Sequence, residues 1–277
     1  MKSKDLSIVI VTFKSESKIF NCLNSIPLNL DVIVVENSNN LNFKSDIEKK
    51  YLNVKCFLTG ANKGYAIADN IRLKNVKTKY ALVLNPDTIV GKNAIENFLI
   101  TANKFKEFWL IGPANDQSIN YEFQEKKVKE VDNLKGFAIF FNLSKFNSNF
   151  FDENFFLYFE EIDLCKNVKK NNGKIYLDKN IIINHEGGSS VDKSNSLELE
   201  KNRNWHWMWS TFYFNKKYRG FLLAFIFIFP KLISSILKTI FYQLIFNKDK
   251  KIIYFYRLSG ILNSILGKKS WYRPSLD

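Results

Sequence analysis

Short apolar runs that end in polar residues recur along the first third of the chain. The runs lie at residues 7–13, 32–36, 54–58 and 80–84. Continuous apolar runs of this length, bounded by turn residues, predict strands that are buried on both faces of a sheet. Helical patterns at residues 16–26 and 60–70 lie between them. The alternation of strands and helices predicts an α/β fold with a mostly parallel, Rossmann-like sheet and flanking helices.

Polar side chains follow these strands, and parallel strands would bring them to one edge of the sheet. They are Thr12, Glu36, Asn62 and Asp87. Because ligands bind open α/β sheets at the carboxyl ends of strands, this edge is the predicted binding crevice. Pro86 cannot continue a central strand, so the strand ends before Asp87. A carboxylate beside the Asn85 amide suits a hard cation, but a turn that only caps the next helix explains the same pattern.

The middle of the chain predicts further elements and two more candidate residues. We expect a helix at residues 94–105, an exposed loop at 115–130, and strands at 109–113, 134–141, 174–178 and 181–183. Gly136 indicates either close backbone approach to a ligand or a bulge. The last strand leads to His185, which could complete a cation site begun by Asp87, although a lone histidine is more often structural.

Three carboxylates, Glu160, Glu161 and Asp163, follow an aromatic run and begin a predicted helix that reaches about residue 171. At about 100° per residue, Glu160 and Asp163 lie close together and Glu161 stands apart. One carboxylate can therefore face a cleft while the other two orient it or cap the helix. Acidic residues in a first turn also complement the helix dipole without any chemistry.

Composition adds a cellular setting and a domain division. Of the net charge of +14, residues 201–277 contribute +12, from 14 Lys/Arg against two Asp/Glu. We therefore expect a first domain at residues 1–200 and a basic, aromatic region at 201–277. Three scattered cysteines argue against a disulfide scaffold, and no signal-peptide pattern opens the chain, so a cytoplasmic location is expected.

The basic region predicts contact with a membrane. Residues 221–229 are wholly apolar but too few to span a bilayer, which needs about 20. Residues 231–245 predict an amphipathic helix whose wet face carries Lys231, Ser234, Ser235, Lys238 and Gln243. Such a helix suits the interface of an anionic membrane. The alternatives are a helix docked on the first domain or on a dimer partner, a kinked transmembrane hairpin, and a nucleic-acid-binding module, which the long apolar face argues against.

Several of these segments together resemble the family-2 glycosyltransferases of the GT-A fold, in particular their rhamnosyltransferase-like branch. The segments that carry the resemblance are residues 8–13, 34–38, 62–65, 85–87 and 156–164, followed by His185. The order of the motifs matters, because any one of them alone is weak. Family members more often have Asp where this chain has Glu36, and Glu-Asp where it has Glu160-Glu161.

The resemblance implies a function and a role for each residue. It implies donor contacts at Thr12, Glu36, Asn62, Gly64, Asn70, Asn85 and Gly136. It implies a divalent metal, Mg²⁺ or Mn²⁺, at Asp87 and His185, and an inverting general base at Glu161 with Glu160 and Asp163 beside it.

The resemblance also implies substrates and a location. The donor would be dTDP-L-rhamnose or a UDP-hexose, and the acceptor a lipid-linked saccharide or polysaccharide in bacterial cell-surface glycan synthesis. The enzyme would bind the inner face of the cytoplasmic membrane, as a monomer or homo-oligomer, without nucleic acid. A non-catalytic nucleotide-sugar-binding protein on the same fold is the alternative.

Overall fold

The computed structural model describes residues 5–114, 127–147, 150–185 and 196–274. The strands are β1 Leu6–Thr12, β2 Asp31–Glu36, β3 Val54–Leu58, β4 Tyr80–Leu84, β5 Thr88–Val90, β6 Phe108–Pro113, β7 Val128–Glu130, β8 Ala138–Asn142, β9 Lys174–Asp178 and β10 Ile183–His185. The helices are α1 Glu16–Asn24, α2 Leu41–Lys50, α3 Tyr65–Leu73, α4 Ala94–Lys104, α5 Glu160–Lys170, α6 Ser196–Leu244 and α7 Lys248–Ile265.

Eight of the described strands form one mixed sheet in the order β3-β2-β1-β4-β8-β6-β9-β7. The first four are mutually parallel, and β6 is parallel to β9. Strand β8 runs antiparallel to both of its neighbours, and β7 is antiparallel to β9. The predicted mostly parallel α/β sheet is therefore confirmed, with antiparallel strands confined to the half that follows β4.

The central strands are buried because apolar side chains leave both faces of the sheet. In β1, Ile8 and Ile10 pack into one hydrophobic cluster and Val9 into the other. Strand β4 divides in the same way, with Leu82 on one side and Val83 on the other. Burial of this kind contributes about 1.5–3 kcal/mol per large aliphatic side chain, which makes these strands the rigid base for the residues that follow them.

The structure corrects two of the predicted elements. The strand expected at residues 134–141 begins only at Ala138, and residues 128–130 of the expected loop form a strand that pairs with β9. Residues 115–126 of that loop lie outside the described part of the chain. Three-residue strands such as β7 are too short to show a period of two, so sequence pattern alone does not identify them.

A second, two-stranded sheet joins β5 to β10 in antiparallel register. It was not predicted at residues 88–90, and the strand expected at residues 181–183 lies two residues later, at Ile183–His185. In this pairing His185 is opposite Thr88, the residue after Asp87. The small sheet therefore brings together two regions that are far apart along the chain.

The chain divides into two compact units. The first comprises Met1–Asp152 and Glu161–Asp192, and the second comprises Glu153–Glu160 and Lys193–Asp277. The predicted domain boundary at residue 200 stays a prediction. The sequence did not predict that residues 153–160 group with the C-terminal region.

The second unit is built on α6 and α7. Helix α6 is interrupted at Gly220, whose backbone (φ 80°, ψ 169°) is not helical, so it consists of segments 196–219 and 221–244. Its described side chains form a hydrophobic cluster from Met208, Phe212, Ala224, Ile228 and Ile261. Gly260 of α7 lies so close to the carbonyl oxygen of Trp205 that a Cβ there would be 2.3 Å from it, which fixes a tight crossing of the two helices.

The predicted wet face of residues 231–245 is partly wrong. Ser235 is buried and Lys231 is half-buried, whereas Lys238 and Gln243 are exposed as expected. The reason is α7, which was not predicted and which packs along the polar stripe, with Lys238 Nζ 3.3 Å from the Tyr254 hydroxyl. The apolar side chains Leu237, Ile240 and Phe241 remain more than half exposed. Within the described residues, α6 is long and apolar enough to cross a membrane, judged by length and composition only.

Candidate active site

Asp87 and His185 form the centre of the candidate site. His185 Nε2 lies 3.3 Å from Asp87 Oδ1 and 3.5 Å from Asn85 Nδ2. The Asp87 side chain is buried, while His185 keeps part of its ring exposed. The predicted meeting of these residues after β4 is thus what the structure shows, and the pairing of β5 with β10 is its cause.

The turn that carries Asp87 is fixed by hydrogen bonds on both sides. The Asn85 N–H donates to the Phe137 carbonyl at 2.9 Å, and the Thr88 hydroxyl donates to the Asn85 carbonyl at 2.7 Å. Pro86 lies between them and ends the strand, as predicted. The carboxylate is therefore held by backbone geometry rather than by a flexible loop.

The segment Gly136–Phe137 connects this pair to the acidic helix. The Phe137 ring stacks on the His185 ring, with centroids 4.8 Å apart and planes 8° apart. A Cβ added to Gly136 would lie 3.3 Å from both Cβ and Cγ of Glu161, so a larger residue there would fit only if the Glu161 side chain shifted by a few tenths of an ångström. His185 and Glu161 thus lie against neighbouring residues, Phe137 and Gly136, and Asp87 lies against His185.

Glu161 sits in an environment that disfavours its charge. Burial is the largest influence and raises the pKa of Glu161, while backbone N–H groups at the start of α5 and the charge of Lys135 act in the opposite direction. A carboxylate withdrawn from water is a stronger base than an exposed one. Of its neighbours, Asp163 is buried and Glu160 is half-buried, and Glu160 is the first residue of α5.

Thr12 and Glu36 end two neighbouring parallel strands and are direct partners in the register. Both are buried, and the Glu36 carboxyl accepts a hydrogen bond from the Ser38 hydroxyl at 2.5 Å. Its other oxygen, Oε2, has no hydrogen-bond partner among the described residues. Burial raises the pKa of Glu36 to about 7, against the opposing effect of the Ser38 hydrogen bond.

The Asn62–Gly64 turn is tied to the end of β2 by Asn37. The Asn37 amide donates to Asn62 Oδ1 and to the Gly64 carbonyl, both at 3.2 Å, and its own oxygen accepts the Lys63 N–H at 2.9 Å. Gly64 has φ 85°, a conformation that favours glycine, and it precedes the first residue of α3. The turn therefore presents the N-terminus of α3 at the predicted crevice.

Asn70 has a structural task that the sequence did not predict. Its amide donates to the Phe151 carbonyl at 2.8 Å and accepts the Phe151 N–H at 3.0 Å. The side chain is buried and pairs with backbone on both sides, like a strand partner. The structure therefore shows a structural role for Asn70, and its donor contact stays a prediction.

Three residues shape the site but were not among the predicted site residues. Asn37 and Ser38 orient the Asn62–Gly64 turn and Glu36, and Phe137 supports His185. The signal for Asn37 and Ser38 was available, since they directly follow Glu36 in a strand-end motif. Nothing in the sequence marked Phe137, because its role depends on a tertiary stack with a residue far along the chain.

The donor set of the site suits a cation that is shared with a ligand. Within the described ranges, no group of three or more His, Cys, Asp and Glu side chains is arranged to hold a metal ion. Asp87 and His185 provide two donors, and the Asn85 amide lies beside them. Mg²⁺ and similar cations are commonly bound by one or two protein groups together with substrate phosphates, so two donors fit such a site.

Comparison with known proteins identifies relatives of the chain. A hexosyltransferase of low-salt glycan biosynthesis, Agl10 of Haloferax volcanii, is 27% identical over 198 residues, which are 61% of this chain and 62% of that protein. The chain therefore spans less than two thirds of the length of this curated relative.

Solved structures share the fold at low identity. The mannosyltransferase PcManGT of Pyrobaculum calidifontis, in complex with GDP-Man and Mn²⁺, has a TM-score of 0.61 at 11% identity, covering 96% of this chain and 88% of its own. Residues 1–349 of Staphylococcus aureus TarS, in complex with UDP, have a TM-score of 0.54 at 15% identity, covering 98% and 94%. These likenesses confirm the predicted GT-A fold.

The family itself is shown by sequence. The family model for glycosyl transferase family 2 matches residues 7–164, more than half of the chain, and this range includes Thr12, Glu36, Asp87 and Glu161. The chain belongs to glycosyl transferase family 2.

Proposed function

We propose that this chain is an inverting, metal-dependent glycosyltransferase that moves a hexose from a nucleoside diphosphate to an acceptor hydroxyl. The observation that carries the proposal is that His185 stacks on Phe137 and Glu161 lies against the neighbouring Gly136, while Asp87 lies against His185. Sugar transfer needs a group that receives a proton from the acceptor and a separate site that holds the diphosphate. These residues provide one of each.

The nucleoside binds at the carboxyl ends of β1 and β2 in this proposal. The Glu36 carboxyl, with its unpaired and buried Oε2, accepts a hydrogen bond from the base, and Thr12 lies beside it. Asn62 and Gly64 line the nucleoside and diphosphate, since the turn that carries them leads into the N-terminus of α3. Helix N-termini favour anionic groups because their backbone N–H groups are free to donate.

Asp87 and His185 are the residues that would hold a divalent cation, Mg²⁺ or Mn²⁺, with Asn85 and Gly136 lining the same side. When bound, such a cation neutralises charge on the leaving diphosphate. Relatives of the same fold support this assignment, because PcManGT was solved with GDP-Man and Mn²⁺. The chain itself orients the His185 imidazole, because the Phe137 ring stacks on it with centroids 4.8 Å apart.

Glu161 is the proposed general base. Its raised pKa suits a carboxylate that takes a proton from the acceptor oxygen as that oxygen attacks the anomeric carbon. Attack from the face opposite the leaving group inverts the anomeric configuration. Glu160 and Asp163 are assigned to orient Glu161 and the first turn of α5.

The proposal also names a donor sugar and a class of acceptor. The rhamnosyltransferase-like resemblance favours dTDP-L-rhamnose, whereas the two structural neighbours described above were solved with GDP-Man or UDP. The exposed apolar face of residues 221–244 and the basic residues around it fit a lipid-linked saccharide acceptor at an anionic membrane surface. We propose that the enzyme works on the cytoplasmic face of that membrane.

Two other functions remain as outcomes of the test. A non-catalytic protein on this fold would bind the donor without transferring the sugar. A nucleic-acid-binding role for residues 201–277 would need aromatic rings on a cationic groove, and the exposed apolar face gives nucleic acid no partner.

The experiment is a donor screen followed by one substitution. Thermal shift with dTDP-, UDP- and GDP-sugars, with and without Mn²⁺, identifies the donor. Glu161→Gln should then lower the transfer rate by about 10²–10⁴-fold, because general-base catalysis contributes about that much. Glu96→Gln makes the same chemical change on the exposed side of α4 and should leave the rate unchanged. Normal turnover in Glu161→Gln would remove Glu161 from the reaction.

A further inference from the structure

The backbone just before the acidic helix is strained. Tyr158 and Phe159 have φ values of 69° and 72°, in the left-handed region that bulky side chains rarely occupy. They are the last two residues before Glu160, where α5 begins. Strain of this kind persists only where the surroundings fix it, and it is frequent at functional sites.

The first segment of α6 provides that restraint. Trp207 contacts both strained residues, with its ring centroid 5.3 Å from Tyr158 and 5.4 Å from Phe159. Phe214, two helical turns further on, contacts the Phe159 ring at 5.3 Å. We call Trp207 and Phe214 the aromatic clamp.

The residues upstream of the strained pair are held by the same helix. The Ser210 hydroxyl donates to the Leu157 carbonyl at 3.0 Å, and Phe155 packs edge-on against Tyr213 at 5.0 Å. Contacts to α6 therefore occur at successive positions of this segment. It has little freedom to choose another path into α5.

A buried histidine links this arrangement to the end of the described chain. The His206 ring stacks on the Phe156 ring with centroids 4.4 Å apart, and the guanidinium carbon of Arg273 lies 3.7 Å from the centroid of the same Phe156 ring. Its Nε2 faces the Tyr272 carbonyl at 3.0 Å and so donates, while Nδ1 accepts from Ser270 at 2.9 Å. Burial lowers the pKa of His206 to about 3, so this neutral tautomer is kept across the working pH range.

We propose that the aromatic clamp is a positioning device for catalysis: Trp207 and Phe214 fix the backbone at Tyr158 and Phe159 and thereby set where α5 places Glu161. The C-terminal region then serves the chemical step as well as the membrane. The inference rests on the proposed role of Glu161. A packing role alone would explain the ring contacts, but it does not require two consecutive left-handed residues at the start of the acidic helix.

The test compares two tryptophans of the same region in the full-length chain. Trp207 and Trp271 are 42% and 54% exposed, and in the described structure Trp271 has no ring contact with residues 155–159. Trp207→Ala should lower the single-turnover transfer rate at least about ten-fold, since small misplacements of a catalytic group can cost about 10²-fold. The donor Kd should stay within about two-fold of the wild type. Trp271→Ala should change neither quantity.

Additional variants separate positioning from folding. Trp207→Phe keeps an aromatic ring and should recover most of the rate. Ser210→Ala removes one hydrogen bond to Leu157 and should lower the rate less than Trp207→Ala, so it provides the test if Trp207→Ala does not fold. In Trp207→Ala and in Ser210→Ala, the limb of the pH–rate profile that belongs to the general base should move.

The outcomes distinguish this inference from the proposed function. If Glu161→Gln retains turnover, the assignment of the base fails and the inference fails with it. If Glu161→Gln is inactive but Trp207→Ala and Ser210→Ala match Trp271→Ala in rate and pH profile, the function stands and the clamp is only packing. Equal losses of donor affinity and rate in Trp207→Ala would also overturn the inference, because they indicate general damage.

Discussion

Glu36 is an ionisable group that the fold removes from water before any ligand binds. Its side chain is buried at the end of β2, and burial raises its pKa from 4.5 to about 7. Between these two pH values the folded chain holds a proton that the unfolded chain has released. The free energy of unfolding therefore falls as the pH rises through this range.

Glu36→Gln should remove this pH dependence, because glutamine stays neutral. We expect the variant and the wild type to be about equally stable near pH 5, and the variant to be the more stable protein near pH 8. Urea unfolding at the two pH values measures the difference. Glu96→Gln is the control, since that side chain is exposed. The same stability difference at both pH values would show that Glu36 does not titrate in this range.

Single residues differ in how far the sequence revealed them. Asp87 was predictable because Pro86 ends the strand and leaves the carboxylate at the sheet edge. Gly136 was predicted to allow close backbone approach to a ligand or to form a bulge; the structure places the Glu161 side chain beside it, and the ligand contact stays a prediction. The pairing of Asn70 with Phe151 and the stacking of Phe137 on His185 were not predictable, since the tertiary fold brings these partners together.

Strands and helices divide in the same way, into those that local sequence marks and those that depend on tertiary contacts. Strands β1 to β4 were predicted because continuous apolar runs report burial on both faces. Strands β5, β7 and β10 have three residues each, too few to show a period, and β8 gives no sign in the sequence of its antiparallel direction. Helix α7 was missed because its packing partner, the polar stripe of α6, was interpreted as a wet face.

The apolar face of segment 221–244 is the element-scale basis of the membrane proposal. Leu237 and Ile240 are 61% and 54% exposed, an arrangement that water does not favour. Replacing both by serine should reduce flotation with anionic liposomes at least about ten-fold, because each buried aliphatic side chain contributes about 1.5–3 kcal/mol. Leu52→Ser changes a leucine that is 98% exposed in the other unit and serves as the control.

Two results would contradict the membrane proposal. Flotation of the double variant equal to that of Leu52→Ser would show that this face does not enter the lipid. Binding of wild-type protein that is the same for neutral and anionic liposomes would remove the role of the basic residues, whose attraction should also weaken with salt.

At the scale of the whole molecule, the two units carry residues with different proposed roles. The first unit carries the residues proposed to hold the nucleoside, the diphosphate and the acceptor proton. The second carries the clamp and the exposed apolar face. Segment Glu153–Glu160 belongs to the second unit, and Glu161 follows it directly in the first. The clamp proposal therefore concerns a segment of the second unit that is covalently continuous with Glu161.

The central claim is that Asp87 and His185 would hold the divalent cation that pairs with the donor diphosphate, while Glu161 takes no part in donor binding. Calorimetric titration of UDP, dTDP and GDP into the full chain, with Mn²⁺ present, tests it most directly. For the nucleotide that binds, Asp87→Asn should lose at least about ten-fold in affinity, whereas Glu161→Gln should bind within about two-fold of the wild type and fail to transfer sugar. Wild-type affinity in Asp87→Asn, or an equal loss of affinity in both variants, would contradict the account.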